Sequence, residues 1–199
     1  MESRMFTVIT TRRSTRRFKD TPVPEDLLRQ VIEAGRYAPS GGNNQTTHFL
    51  VIREEGVKEK LARLAEAAFA KMEITPDTYK SLANSIRASQ KGGYVFHYHA
   101  PVLVLLANRK DYGNNMADCC CALENMAIMA NALDLGSCYI NQINWLREDP
   151  DMLAYLRELG LKENERVYAS LALGYADTAD GLPVREDLPR KGNDVTWIG

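Results

Sequence analysis

The spacing of apolar residues predicts that helices dominate this chain. Apolar side chains recur every three or four positions in five segments, which is the period of one face of an α-helix. A sixth segment, residues 76–90, has a helical composition but a thin apolar face, and we expect it to form a mobile cover. Gly136 follows the longest segment and is expected to end that helix. The five segments are residues 5–11, 24–37, 57–72, 115–135 and 151–159.

Shorter apolar runs predict the strands of a central sheet. Residues 101–107 form a continuous apolar run, the pattern of a strand that is buried on both faces. Residues 48–53, 138–140 and 166–173 also indicate strands. Because helices outnumber strands and their order is mixed, the sequence predicts an α+β fold. We find no internal repeat or linker, and we interpret residues 1–199 as a single domain.

Composition and charge narrow the function. Of the 199 residues 45% are apolar, which is typical of globular proteins, and 25 basic residues nearly balance 26 acidic ones. The net charge of −1 argues against a general nucleic-acid binder but permits a local anion site. No stretch approaches the roughly 20 apolar residues that span a bilayer, and the N-terminus lacks the apolar core of a signal peptide. The four cysteines need no pairing, so we expect a cytoplasmic protein without membrane contact.

Six residues near the N-terminus, Arg12 to Arg17, form the first candidate site. Arginine presents a planar fork of donors that matches phosphate oxygens, and the Ser14 hydroxyl adds a further donor. Neighbouring arginines repel one another, and a bound anion would offset that repulsion. From these residues alone the anion stays open, because a phosphate, an RNA backbone and a solvated basic face all fit.

Three later segments carry weaker signals. Residues 39–45 combine glycines, which permit close backbone approach, with amides that suit a flavin, although an ordinary polar turn has the same composition. Residues 136–142 place a short apolar strand before two amides, either beside a cofactor ring or simply in the core. Residues 188–192 lie in a tail that we expect to wrap around a partner. The cationic side chains of this segment, Arg190 and Lys191, would either complete a phosphate site or lie at an exposed terminus.

The sequence indicates neither a metal site nor a side-chain nucleophile. His97 and His99 alternate with Tyr98, so on a strand both imidazoles would face one side. The adjacent cysteines at 119–121 point to different faces of a helix, and no CxxC spacing is present. We therefore assign no metal ligand and no catalytic side chain.

Together, the four segments resemble the nitroreductase family of flavoenzymes. Arg12-Arg13-Ser14-Thr15-Arg16, followed by Phe18, is similar to the family's opening motif R-x-S-x-R/K-x-F. The later segments follow in the family's order, and the resemblance runs from about residue 7 to the end. They are Ala38-Pro39-Ser40-Gly41-Gly42-Asn43-Asn44-Gln45, then Leu135-Gly136-Ser137-Cys138-Tyr139-Ile140, then Gly174-Tyr175, and finally Pro189-Arg190-Lys191 before Val195-Thr196-Trp197.

The resemblance implies a central mixed or antiparallel sheet flanked by helices, in an intertwined homodimer with two FMN sites at its interface. The residues implied to hold the cofactor phosphate are Arg12, Arg13, Ser14, Arg16, Arg190 and Lys191. Those implied to reach the flavin from the partner subunit are Pro39, Ser40, Gly41, Asn43 and Gln45. Those implied to lie beside the ring are Ile140, Asn141 and Gln142, with a backbone N–H near Asn141 facing the flavin N5 atom. Arg17 is left as a surface or structural residue.

The implied activity is hydride transfer from NADH or NADPH to FMN, and then to a small-molecule acceptor such as a nitroaromatic or a quinone, in a ping-pong cycle. Other flavin chemistry (flavin breakdown, reductive dehalogenation, azoline oxidation) and a non-enzymatic module that binds a polyanion or a flavin stay open as alternatives. The chain departs from the family at Thr46-Thr47, where many relatives have Pro-Trp, and at Asn141-Gln142, where some have Glu-Gly. Residues 73–99 match no family pattern, so the substrate stays open.

Overall fold

A four-stranded sheet forms the centre of the computed structural model, which describes residues 3–186 and 188–199. The strands are β1 (His48–Ile52), β2 (Val102–Arg109), β3 (Gly136–Ile140) and β4 (Glu165–Gly174). They lie in the order β1-β2-β4-β3, and every neighbouring pair is antiparallel. The antiparallel sheet and its flanking helices confirm the predicted α+β fold.

Helices cover both faces of this sheet. The helices of the described residues are α1 (Arg4–Thr11), α2 (Glu25–Arg36), α3 (Glu55–Ala70), α4 (Lys80–Lys91), α5 (Asn115–Ala132), α6 (Gln142–Trp145) and α7 (Pro150–Glu158), with a short 3-10 helix at Gly41–Asn43. None of them is long and apolar enough to cross a bilayer.

Two apolar clusters lie on opposite faces of the sheet, and β2 contributes to both. Leu103 and Leu105 pack into one cluster with residues of α3, α4 and α7. Val104 and Leu106 pack into the other with residues of α2 and α5. Because successive side chains of a strand face opposite sides, a strand buried on both faces requires the continuous apolar run that the sequence shows.

The end of α5 differs from the prediction. The helix ends at Ala132 instead of at Gly136, and Asp134 makes the turn with a φ of 62°, a conformation that aspartate tolerates. Gly136 is instead the first residue of β3. A Cβ atom at that position would lie 2.7 Å from the Thr15 Oγ1 atom, so glycine is needed for close approach of the chain and not to end a helix.

The residues between α4 and β2 also differ from the prediction. His97 and His99 lie in a turn, not on a strand, and both Tyr98 and His99 adopt positive φ angles of 56° and 55°. His97 is buried and His99 is exposed, but their rings still lie edge to face with centroids 6.0 Å apart. The predicted helix in residues 76–90 begins later, at Lys80, and packs against α3.

Candidate functional site

The arginine segment lies along the edge strand β3. Ser14 pairs with Ser137 in a parallel bridge, and the Thr15 N–H donates to the Ser137 carbonyl at 2.8 Å. The glycine at 136 makes room for the Thr15 side chain against the strand. The segment is therefore extended, and its side chains alternate between two sides.

Arg12, Ser14 and Arg16 share one side of this segment and surround the buried thiol of Cys138. Burial raises the pKa of that thiol, while the charge of Arg16, a hydrogen bond from the Ser14 side chain and the charge of Arg12 oppose the shift. Ser14 and Arg16 are exposed, and the Arg12 Nε atom lies 3.7 Å from the Glu124 carboxylate. The structure thus brings together three of the predicted anion ligands on one accessible face.

Arg13 is directed elsewhere. Its guanidinium donates to the carbonyl oxygens of Thr10 at 2.8 Å and Arg12 at 2.7 Å, and also to the carbonyl of Glu186. These bonds bring the start of the C-terminal tail to the arginine segment. Arg185 strengthens the attachment by donating to the Asn131 carbonyl at 2.6 Å.

The remaining basic residues of the prediction separate into two groups. Arg190 and Lys191 are exposed, and the described residues include no hydrogen bond or ion pair that would bring either one to Ser14 or Arg16. Arg190 lies four positions after Glu186, a separation of at most about 14 Å, so the anchored tail keeps Arg190 within reach of that face. Arg17 instead pairs with Asp177 at 2.8 Å, in agreement with a structural role.

The other end of β3 carries the predicted amide residues. Ile140 is buried, and Asn141 directly precedes the short helix α6. The Asn141 side-chain oxygen accepts from the Tyr139 hydroxyl at 3.2 Å and from the Asn144 amide at 2.9 Å. Asn141 lies four positions after Ser137, so at the rise of an extended strand the anion face and the amide edge lie about 13 Å apart.

Gln142 is held by two residues that sequence reasoning did not identify. Its Nε2 atom donates to the Tyr94 hydroxyl at 2.9 Å and to the Ser85 hydroxyl at 3.3 Å. Its Oε1 atom accepts from the Asn141 backbone N–H at 3.1 Å. Ser85 and Tyr94 belong to the segment that matched no pattern, and no local spacing links them to Gln142, because the contact forms only in the folded chain.

The loop at residues 39–45 is clamped around Gly41. The Gly41 N–H donates to the Asp118 carboxylate at 3.1 Å, and its carbonyl accepts from the Tyr112 hydroxyl at 2.9 Å. A Cβ atom at Gly41 would lie 2.0 Å from the Asn114 Nδ2 atom. The backbone here approaches its neighbours so closely that only glycine fits without rearrangement.

Polar side chains of the same loop bond mainly to one another. The Ser40 hydroxyl accepts from the Gln45 N–H at 3.0 Å, and the Gln45 side chain donates to Asn43 at 3.0 Å. Asn43 and Gln45 have positive φ angles of 54° and 51°. Pro39, Ser40 and Gln45 line a cavity of about 120 Å³. The loop is a folded surface feature, not a random connection.

Within one chain, the loop and the N-terminal helix α1 contact opposite ends of α5. The loop bonds to Asp118 near the start of the helix, whereas Asn131 near its end donates to the Val8 carbonyl at 2.8 Å and so fixes α1. Thirteen helical residues correspond to about 20 Å. The loop and α1 are therefore held well apart along this helix within one chain.

The chemistry of the described groups suits an elongated, phosphate-bearing cofactor. Two guanidinium groups and a hydroxyl on an open face match the oxygens of a phosphate dianion. Amide donors and acceptors at the other end of β3 match a heterocyclic ring edge. No group of three or more histidine, cysteine or acidic side chains in residues 3–186 and 188–199 is arranged to hold a metal ion.

Comparison with known proteins places the chain among flavoenzyme relatives of one family. The profile of the nitroreductase family matches residues 9–175. A protein of Archaeoglobus fulgidus, provisionally assigned as an NADH dehydrogenase/NAD(P)H nitroreductase, is 30% identical over 169 residues, which is 84% of this chain and 83% of the relative. A nitroreductase of Bacteroides fragilis, crystallised with bound FMN, is 35% identical with a TM-score of 0.85 over 100% of both chains.

A more distant structure shares the fold alone. An iodotyrosine deiodinase bound to FMN and 3-iodo-L-tyrosine is 19% identical, with a TM-score of 0.71 over 98% of this chain and 99% of the deiodinase. The fold is thus common to proteins with different names and ligands. Because the family profile matches residues 9–175, which is most of its length, this chain belongs to the nitroreductase family.

Proposed function

We propose that this protein is an FMN-dependent oxidoreductase, which takes a hydride from NADH or NADPH and passes it to a nitroaromatic or quinone acceptor in a ping-pong cycle. The observation that carries the proposal is that one strand, β3, joins the anion face of Ser14 and Arg16 to the amide edge of Asn141. Family membership and the FMN bound to the Bacteroides fragilis relative support it.

At the anion face, Arg12, Ser14 and Arg16 would hold the cofactor phosphate. Their shared orientation around Cys138 supports this assignment. Arg13 stays a predicted ligand, although its bonds to backbone carbonyls suit the task of holding the tail near the site. Arg190 and Lys191 would complete the phosphate site from that tail.

At the amide edge, Ile140, Asn141 and Gln142 would lie beside the flavin ring. Bound FMN would supply reversible hydride storage, and the chain would bind the ring, orient it and limit access of water. The Asn141 N–H would meet the N5 edge. Arg16 is also the candidate to stabilise negative charge on the reduced ring, as an alternative to serving the ribityl chain or phosphate, and no side-chain acid or base is required.

The loop residues Pro39, Ser40, Gly41, Asn43 and Gln45 would reach the flavin from the partner subunit of a homodimer. Exposed apolar surface supports such an assembly, because patches of this kind mark interfaces. On α1, which buries no residue, Met5 and Phe6 are 60% and 50% exposed. In the tail, Trp197 and Ile198 are 91% and 95% exposed.

The absorbance spectrum of the purified protein tests the cofactor assignment. We expect a yellow protein with the two visible bands of oxidised flavin, which bleach when NADH or NADPH is added under nitrogen. A double charge reversal, Arg12→Glu with Arg16→Glu, should weaken FMN binding by at least about a hundredfold, since each charged hydrogen bond contributes about 1.5–3 kcal/mol.

Arg17→Glu is the matched control, because the Arg17 side chain is 83% exposed and pairs with Asp177 on the surface. It should retain the FMN affinity of the wild type. A colourless protein that gains no flavin signal when FMN is added would refute the cofactor proposal, and equal FMN affinity in all variants would refute the phosphate assignment.

Reductive dehalogenation is the second candidate, because the deiodinase shares this fold. Product analysis with NAD(P)H and either a nitroaromatic or a halogenated phenol distinguishes the two reactions. The same analysis in air would reveal flavin breakdown, and azoline substrates would reveal ring oxidation. Nucleic-acid binding with a steep salt dependence would instead favour a polyanion-binding module.

A further inference from the structure

A buried hydrogen-bond chain fixes the orientation of the Gln142 amide. Ser85, which is 3% exposed, donates to the Ser81 carbonyl at 3.2 Å, and a carbonyl can only accept. The Tyr94 hydroxyl lies 2.9 Å from the Ser85 oxygen and must therefore donate to it. That leaves the Tyr94 oxygen as the acceptor for the Gln142 Nε2 atom at 2.9 Å.

The direction of this chain determines what Gln142 presents to Asn141. With its Nε2 atom on Tyr94, Gln142 turns its Oε1 atom to the Asn141 backbone N–H at 3.1 Å. The reverse amide orientation is disfavoured, because it would place two donors, the Gln142 Nε2 atom and the Asn141 N–H, against each other. The Asn141 N–H is thus already engaged by an acceptor from its own chain.

Tyr94 is itself held from three sides. Its backbone N–H donates to the Glu66 carboxylate at 2.9 Å. Its ring packs edge-on against Phe69, with centroids 6.3 Å apart. Burial raises the pKa of its hydroxyl, against the lowering effect of its hydrogen bonds with Ser85 and Gln142, so the hydroxyl stays protonated and able to donate. These contacts make Tyr94 a rigid support for a side chain at the amide edge.

We propose that Tyr94 and Ser85 are positioning residues, which hold Gln142 on the Asn141 N–H and thereby weaken the bond that this N–H can offer to a cofactor. The proposal rests on the proposed function for its consequence at the flavin. An N–H aimed at N5 stabilises the oxidised ring, because oxidised N5 accepts and reduced N5 carries a hydrogen. Competition from Gln142 therefore favours the reduced cofactor, as suits a protein that stores a hydride.

The first test uses the protein without flavin. Tyr94→Phe removes the hydroxyl and keeps the ring, so Gln142 should loosen and the Asn141 amide proton should exchange with solvent about 2- to 10-fold faster, the range for one hydrogen bond. NMR-detected hydrogen exchange measures this. Tyr155→Phe is the matched control, because it removes a tyrosine hydroxyl on α7 that makes no hydrogen bond within the described residues. Unchanged exchange at Asn141 in a folded Tyr94→Phe protein would overturn the proposal.

The second test uses the FMN-loaded protein. Tyr94→Phe should tighten binding of oxidised FMN relative to reduced FMN about 2- to 10-fold, which lowers the midpoint potential by about 10–30 mV for a two-electron couple. Ser85→Ala is a smaller change, and it should shift both the hydrogen exchange at Asn141 and the midpoint potential of FMN in the same direction as Tyr94→Phe. A potential that is unchanged or raised would overturn the proposed effect on the cofactor. If neither the wild type nor any variant binds FMN, the proposed function fails. The hydrogen-exchange measurement at Asn141 then decides by itself whether Tyr94 positions Gln142.

Discussion

Replacement of Gly136 by alanine tests whether close packing of the arginine segment on β3 builds the anion site. The new Cβ atom would lie 2.7 Å from the Thr15 Oγ1 atom, 2.8 Å from Cγ2 and 2.9 Å from Cβ. Rotation of the Thr15 side chain relieves only the first two contacts, because Cβ is fixed to the backbone. The segment must therefore move, and the bond from the Thr15 N–H to Ser137 must lengthen.

The expected cost has two parts. Overpacking of this kind destabilises a protein by about 1–3 kcal/mol, which for a chain of this size corresponds to about 2–4 °C in Tm per kcal/mol. The displacement also moves Ser14 and Arg16. Loss of one charged hydrogen bond of about 1.5–3 kcal/mol would then weaken FMN binding about ten- to a hundredfold.

Urea unfolding and a fluorescence titration with FMN measure the two effects of Gly136→Ala separately. The double variant Gly136→Ala with Thr15→Gly removes all three contacts and should recover much of the lost FMN affinity. If Gly136→Ala binds FMN as tightly as the wild type, the packing of this segment on β3 does not build the anion site. If the double variant fails to recover affinity, the steric explanation is wrong.

Two further predictions concern the loop and the buried histidine. Gly41→Ala should break the hydrogen bond from the Tyr112 hydroxyl and destabilise the protein by about 1 kcal/mol. Gly56→Ala is the control and should not destabilise it, because a Cβ atom at Gly56 would meet nothing within 4 Å. Equal urea midpoints for the two variants would contradict the clamp around Gly41. Burial, then the charge of Lys58, lowers the pKa of His97 to about 4 from 6.5. The unfolded chain therefore binds this proton first, and stability should fall as the pH drops from about 6.5 towards about 4. His97→Gln should flatten that part of the urea-unfolding profile, and an unchanged slope would exclude His97 as its source.

Local patterns in the sequence determined the elements and the order of the site segments. The continuous apolar run at 101–107 predicted a strand buried on both faces, and β2 lies at that position in the centre of the sheet. Helical spacing found α2, α3, α5 and α7, because one buried face imposes a period of 3.6 residues whatever the partner. The motif Arg12-Arg13-Ser14-Thr15-Arg16 and the segments that follow it identified the family.

Only the tertiary structure decided which residues meet. Side chains of an extended segment point to alternate sides, so Arg12 and Arg16 face away from Arg13. The segment is extended because Ser14 pairs with Ser137. Gly136 resembled a helix terminator by local chemistry, but its neighbour in space is Thr15. Tyr94 reaches Gln142 across 48 positions of sequence. Periodicity reports whether a side chain is buried, whereas the identity of its partner depends on how distant segments pack, and no local pattern encodes that packing.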